Sequence, residues 1–401
     1  MEKPTLFGYG ITTKAIAQKL GGGCIFFDDN TQKEYIDKEG NRIIPSNLFD
    51  PQKSKLEVTT PSFKPSHILV QKAKNLISEY DFFAKDMPFS IWISGTNGKT
   101  TTTQMLEHLL KDRGALAGGN IGTPLAKLDT KAPIWILESS SFTLHHTKIA
   151  SPNIYLLLPI SPDHINWHGS FENYVADKLK PLKSMKEGEL ALVPKGLDLP
   201  KSDAFVVEYD SIEFLEEYFG IDSSKIKFKS AFLEDAMLAL AVTKTLFDEI
   251  DYDTINSFRL DRHRQEEKID RYNRLWVNDS KATNLDATIQ AIKGYSDRFI
   301  HLIIGGDDKG ADLTPLFELL QNKKVHIYTI GANSDRLAKL AQKYNIEFTP
   351  SQTLQNAVTN IAKVLTKDEV ALLSPAAASY DQFKSYKHRG DEFLKFVDKI
   401  E

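Results

Sequence analysis

The chain holds a single cysteine, Cys24, in 401 residues. That excludes an internal disulfide and any zinc cluster built from cysteines. No apolar run approaches the roughly 18 residues that a membrane helix needs, so membrane insertion is not expected. The opening MEKPTLFGYG carries no basic segment leading into a long apolar stretch, and a cytoplasmic location follows most simply. Charge of either sign is nearly balanced, with 50 Lys and Arg against 54 Asp and Glu. A net charge of −4 exerts no general pull on nucleic acid. Internal repeats and low-complexity tracts are also missing.

What remains is globular: 41% apolar and 26% charged residues, in a chain long enough for several cores. The pattern reads as α/β in three domains. Residues 1–85 open with a strand at Thr5–Phe7, the turn Gly8-Tyr9-Gly10 and a helix to Leu20. A second strand, Cys24–Phe27, ends in Asp28-Asp29. This Rossmann-like start lacks the third glycine of the dinucleotide fingerprint, where Thr13 stands, so a different nucleotide, or none, is expected in place of NAD. Residues 86–260 carry buried-strand signals at Ile91–Ile93, Ile134–Leu137 and Ile154–Leu158 with helical segments between, the mark of a mainly parallel sheet. Residues 261–401 restart the pattern at Leu302–Ile304, Val325–Tyr328 and Val370–Leu373, a second Rossmann-like α/β unit.

The sharpest motif is SGTNGKTTTTQMLEHLL, which begins at Ser94 directly after an apolar strand. Gly95 and Gly98 allow a tight loop whose amides face an anion. Lys99 offers a point charge for outer phosphates, Thr100 a hydroxyl for Mg²⁺, and the helix N-terminus adds a partial positive charge. The general phosphate-loop pattern asks for a glycine at position 93, where this chain has Ile93. The bland alternative is a glycine turn that starts an ordinary helix. Downstream, Glu138 closes one strand, and Asp163 and His164 follow another. Ligands collect at the carboxyl ends of parallel strands, so Glu138 and His164 should face Thr100. Each residue alone is weak, and lone histidines are usually structural.

GTNGKTTT at 95–102, LESSSF at 137–142 and SPDHINWHGSFENYVADKLKPL at 161–182 resemble the central domain of the Mur ligases. These are ATP-dependent amide-forming enzymes of peptidoglycan synthesis, whose loop also lacks the early glycine. DRHRQEE at 261–267, WVNDSKATN at 276–284, IIGGDDKGAD at 303–312 and LLSPAAASYDQFKSYKHRGDEF at 372–393 resemble the branch of that family that adds D-glutamate. The resemblance implies phosphorylation of the carboxylate of UDP-N-acetylmuramoyl-L-alanine by ATP, then attack by the amine of D-glutamate.

Carried over residue by residue, it implies ATP contacts at Gly95, Thr96, Asn97, Gly98, Lys99, Thr100, Thr101, Arg264 and Asp279. Asp235 stands where the family has an asparagine near the adenine. Two Mg²⁺ ions are implied, held by Thr100, Glu138, His164 and a carbamylated Lys178. The bland reading of Lys178 is a solvated helix lysine like Lys180 and Lys183. Lys281, Thr283, Lys309, Ser379, Tyr380 and Tyr386 fall on the D-glutamate side, and Lys309 is the first choice for the side-chain carboxylate. Ile11, Thr12, Asp29, Asn30, Thr60 and Asn120 are expected at the UDP-substrate.

A monomer is expected, closing about a hinge at Arg259–His263. Rival readings are a sister ligase taking another amino acid, an ATPase motor and a nucleotide-gated binding module. A motor would hydrolyse ATP with no amino acid present. A binding module would need no Glu138, His164 and Lys178 at converging strand ends.

Overall fold

The computed structural model describes residues 3–400. The chain divides into two compact units, one running to Lys227 with Leu233–Phe258, the other made of Phe228–Phe232 and the chain from Arg259 onward. The described residues form three sheets of six strands each.

In the first unit, the first sheet contains β1 (Thr5–Phe7), β2 (Ile25–Asp28), β3 (Tyr35–Ile36), β4 (Arg42–Pro45), β5 (Glu57–Val58) and β6 (Leu76–Ile77), in the order β3-β4-β2-β1-β5-β6. Only β3 runs antiparallel to its neighbour. Cys24, at the threshold of β2, is 1% exposed; its N–H donates to Asn41 Oδ1 at 2.9 Å, and burial raises its thiol pKa.

The second sheet contains β7 (Phe89–Ser94), β8 (Leu116–Gly119), β9 (Ile134–Glu138), β10 (Ile154–Leu157), β11 (Leu190–Pro194) and β12 (Phe205–Tyr209), all parallel, in the order β12-β11-β10-β7-β9-β8. Its central strands are continuous apolar runs because helices cover both faces; Trp92, Trp135 and Tyr155 are fully buried. Strand order reverses at β7, so the loop leaving β7 emerges between the ends of β9 and β10. This is where an open parallel sheet leaves a crevice.

In the second unit, the third sheet contains β13 (Glu266–Ile269), β14 (Leu275–Asn278), β15 (Ile300–Gly305), β16 (Val325–Ile330), β17 (Phe348–Gln352) and β18 (Val370–Leu373), in the order β13-β14-β18-β15-β16-β17 with only β13 antiparallel. The two-residue period of a strand divides β15 between two cores. Leu302 and Ile304 pack with Phe317 on one face, while Ile303 packs with Trp276 and Phe393 on the other. The strands foreseen from the sequence are all present: Ile134–Leu137 and Val325–Tyr328 gain one and two residues, Ile91–Ile93 and Leu302–Ile304 gain three each, and Ile154–Leu158 ends one residue sooner.

Candidate active site

The loop Gly95–Gly98 joins β7 to the helix Lys99–Leu109. Gly98 is the N-cap of that helix at φ +79°, and a Cβ there would strike Asp235 and Leu158. Glycine is therefore required by conformation and by space. Thr102 Oγ1 donates to Asp235 Oδ1 at 3.0 Å, so Asp235, from the helix Ser230–Phe247, packs against the loop. Lys99 Nζ donates to Gly95 O at 2.9 Å and Thr96 O at 2.7 Å, folding back over the loop.

Glu138 ends β9 and is 3% exposed. Its Oε1 accepts from Asn120 Nδ2 at 2.6 Å, while its Oε2 is buried with no hydrogen-bond partner. A buried, unpartnered carboxylate oxygen costs several kcal/mol in folding if nothing ever binds it, on the order of 1–3 kcal/mol even for a neutral group. It is therefore suited to a cation. His164 follows β10 in the left-handed region at φ 54°, a strained conformation for a residue with a side chain. Burial lowers its imidazole pKa; Asp163 opposes the shift, and Lys99 and Lys178 add to it. These side chains thus share one electrostatic environment.

Lys178 settles against the bland reading: it is 1% exposed, not solvated. Its Nζ donates to Gly95 O at 2.7 Å, on the same carbonyl that Lys99 contacts, and lies 4.7 Å over the Tyr174 ring. Burial first, and the Lys99 ammonium second, hold its amine well below the usual lysine range. Tyr174 OH in turn hydrogen-bonds Thr96 Oγ1 at 3.0 Å, tying the loop to the helix Phe171–Ser184.

A cavity of about 180 Å³ in the same unit is lined by Ile11, Thr12, Thr60 and Asn120, together with Glu79, Tyr80, Thr143 and His146. Asp29 and Asn30 are not in that lining. Asp29 accepts from Ser46 and pairs with His67 at 3.0 Å, and Asn30 is exposed. Asn120 joins the cavity to Glu138. Glu79 and His146 carried no signal in the sequence. Burial pushes the Glu79 carboxyl up to about 7 and the His146 imidazole down to about 4, so near neutrality the imidazole is uncharged while the carboxyl is in the middle of its titration.

In the second unit, the candidate residues gather at the carboxyl ends of β14, β15 and β18. Asp279 is 6% exposed and accepts from Ser374 Oγ at 2.8 Å; burial pushes its carboxyl up to about 7, with Arg264 acting in the opposite direction. Lys281 Nζ lies 4.3 Å over the Tyr386 ring, and Ser379 is buried. Lys309, Thr283 and Tyr380 are exposed. Beneath them Arg389, 1% exposed, donates to Ser280 Oγ and Ser280 O at 2.9 Å and to Ala377 O at 3.1 Å, fastening two loops together. The RG pair at 389–390 was visible in the motif, but nothing in the sequence marked its arginine as buried.

Residues 93–205 match the family described as Mur ligase middle domain. The chain is 51% identical to the UDP-N-acetylmuramoylalanine–D-glutamate ligase of Campylobacter jejuni, over 99% of this chain and 100% of that protein. It is 45% identical to the enzyme of the same name from Helicobacter pylori, over 98% and 99%. Among solved structures it resembles MurF ligase from Thermotoga maritima in complex with ADP (TM-score 0.59, 16% identity, 86% and 88% covered). It also resembles UDP-N-acetylmuramate-alanine ligase MurC from the same organism (TM-score 0.56, 15% identity, 98% of each chain). The chain belongs to the Mur ligase family, among its UDP-N-acetylmuramoylalanine–D-glutamate ligases.

Proposed function

We propose that this protein couples ATP hydrolysis to amide formation between UDP-N-acetylmuramoyl-L-alanine and D-glutamate, in the cytoplasm, as a monomer. The γ-phosphoryl group passes to the alanyl carboxylate. The amine of D-glutamate then attacks the acyl carbon of that acyl phosphate, phosphate leaves, and ADP remains. The domains we assign to the UDP-substrate, ATP and amino acid are 1–85, 86–260 and 261–401, a division supported by one sheet in each span.

The observation that carries the reading is the orphaned Oε2 of Glu138 at a strand end beside the phosphate loop. Phosphoryl transfer needs positioning and charge neutralisation more than covalent help. Gly95, Thr96, Asn97, Gly98 and Thr101 would bind the nucleotide phosphates through the loop and the helix start, with Lys99 as the point charge. Thr100, Glu138, His164 and Lys178 as its carbamate would hold Mg²⁺. Bound Mg²⁺ would shield the phosphates from the approaching carboxylate. A neutral, buried amine is the form of lysine that reacts with carbon dioxide, and its depressed pKa supports carbamate formation at Lys178.

Asp235, Arg264 and Asp279 would complete the nucleotide contacts. Lys281, Thr283, Lys309, Ser379, Tyr380 and Tyr386 would receive D-glutamate. Ile11, Thr12, Thr60 and Asn120, which share the cavity, would receive the UDP-substrate.

The test is phosphate release from ATP and Mg²⁺ with UDP-N-acetylmuramoyl-L-alanine across a panel of amino acids. Release with D-glutamate alone is expected. Release with L-lysine or a diamino acid would keep the ATP site and overturn the assignments in the second unit. Release without any acceptor would overturn the ligase reading.

A further inference from the structure

Beside the phosphate loop, three helices of the first unit meet at a single carboxylate oxygen. His145 lies on Ser141–His146, His168 on Ile165–His168 and Asp177 on Phe171–Ser184. Both imidazoles direct Nδ1 at Asp177 Oδ2, each at 2.8 Å. The three potential ligand atoms lie within 4.8 Å of one another. We propose that His145, His168 and Asp177 form a binding site for one divalent cation of the zinc class, separate from the phosphate-binding centre.

The donor set decides the class of ion. Two imidazole nitrogens and one carboxylate oxygen suit a borderline cation such as Zn²⁺ or Co²⁺, whereas Mg²⁺ prefers oxygen and retains its water. A tetrahedral ion with bonds near 2.0–2.1 Å spaces its ligands about 3.3 Å apart. Each Nδ1 must therefore move about half an ångström further from Asp177 Oδ2, and the two Nδ1 atoms, within 4.8 Å of each other, must close by up to about 1.5 Å.

The protonation fits both states. Without metal, both Nδ1 atoms carry protons and donate to Asp177. With metal, Nδ1 of each ring becomes the ligand and the single N–H proton of that ring passes through solvent to Nε2. His168 Nε2 lies 3.0 Å from Ser141 Oγ, a hydroxyl able either to donate or to accept, so it supports the ring in either tautomer. The His168 side chain is fully buried and that of Asp177 nearly so, while His145 is 32% exposed, leaving a path for the ion and for a water ligand. The Lys180 ammonium, 3.9 Å from Asp177 Oδ1, weakens the site without occupying the oxygen that faces the imidazoles.

Asp177 and Lys178 are consecutive on a helix, so their side chains leave it about 100° apart. One meets the histidines and the other meets Gly95. An ion at Asp177 would staple the helices that carry His145, His168 and Lys178.

Co²⁺ titration of the full chain, read by visible absorption, tests this. One equivalent should develop the intense band of four-coordinate Co²⁺, discharged by one equivalent of Zn²⁺ and unaffected by excess Mg²⁺. His145→Ala, at the half-exposed ligand, and Asp177→Asn should each abolish the band, whereas His164→Ala should retain it. Zn²⁺ should raise the Tm of the unmodified chain and leave that of H145A unchanged. No band in the unmodified chain, a band that survives in H145A, or one lost in H164A would each overturn the proposal. If H145A fails to fold, His145→Gln is read in its place.

Discussion

The phosphate-loop region of the first unit and the loop cluster of the second are both built at the carboxyl ends of parallel strands, yet they are prepared differently. Around Gly95, Glu138 and Lys178 are buried and Lys99 half-buried, and all three are already tied down: Lys99 and Lys178 share a carbonyl, Glu138 is held by Asn120, and Tyr174 holds the loop itself. In the second unit only the foundation is fixed. Arg389 locks the loops from below, while Lys309, Thr283 and Tyr380 stand in solvent. Phosphoryl transfer demands geometry set before the ligand arrives. Selecting an amino acid can be left to exposed side chains on a firm base.

The largest expected effect breaks the prepared side of that contrast. Lys178→Ala should lower kcat by on the order of 10³-fold, the loss typical of removing one preorganised group. A small added carboxylic acid should restore part of the turnover by standing in for the carbamate. Absence of rescue, together with an unmodified lysine in the mass spectrum of the Mg²⁺-loaded protein, would remove carbamylation from the scheme.

On the exposed side the loss should take another form. Lys309→Ala should raise KM for D-glutamate by roughly 10- to 100-fold, as expected for one charge-assisted contact. Its kcat should change little, and KM for ATP should not move. An equal fall in kcat would mean that Lys309 acts in the reaction itself.

A pair of glycines makes the same comparison in stability. Gly98 and Gly310 have nearly equal φ, +79° and +76°, but only Gly98 has neighbours where a Cβ would go. Gly310→Ala should cost about 1–2 kcal/mol, the left-handed penalty alone. Gly98→Ala should cost more, by about 1–3 kcal/mol as overpacking is added. Equal losses in urea unfolding would show that the phosphate loop yields as freely as the exposed turn.

The smallest effect is in pH dependence. The Glu79 carboxyl rises from 4.5 to about 7 in the folded chain. The folded state then holds more protons than the unfolded state across that window, so stability falls as pH rises from about 4.5 to 7 and levels above it. Glu79→Gln should flatten this slope when Tm is followed across the same range. Asp279, raised from 3.8 to about 7 in the other unit, should give a slope of the same sign, removed by Asp279→Asn.

The places of the loop, Glu138 and His164 at the ends of strands were legible because strand, glycine turn and helix occur in sequence, and strand ends can be located from apolar runs. Lys178 was only half legible. Lys178, Lys180 and Lys183 look alike in composition, but Lys178 stands four residues from both Tyr174 and Leu182, on the buried stripe of its helix. Spacing therefore held a signal that residue type concealed. The cavity was less accessible still. Glu79 and His146 reach it from separate segments, and no local pattern reports which segments meet. Asp29 and Asn30 fall outside the lining of that cavity, and Ser46 and His67 engage Asp29.

The lone cysteine has a use that chemistry at the active site does not touch. Cys24 is sealed behind β2, with its thiol pKa raised, so an alkylating reagent reaches it only when the first sheet opens. With no other thiol in the chain, each labelled molecule records one such opening, and mass alone can count them. A ligand seated against Ile11, Thr12 and Thr60 would slow the labelling by the free energy it adds to that part of the protein.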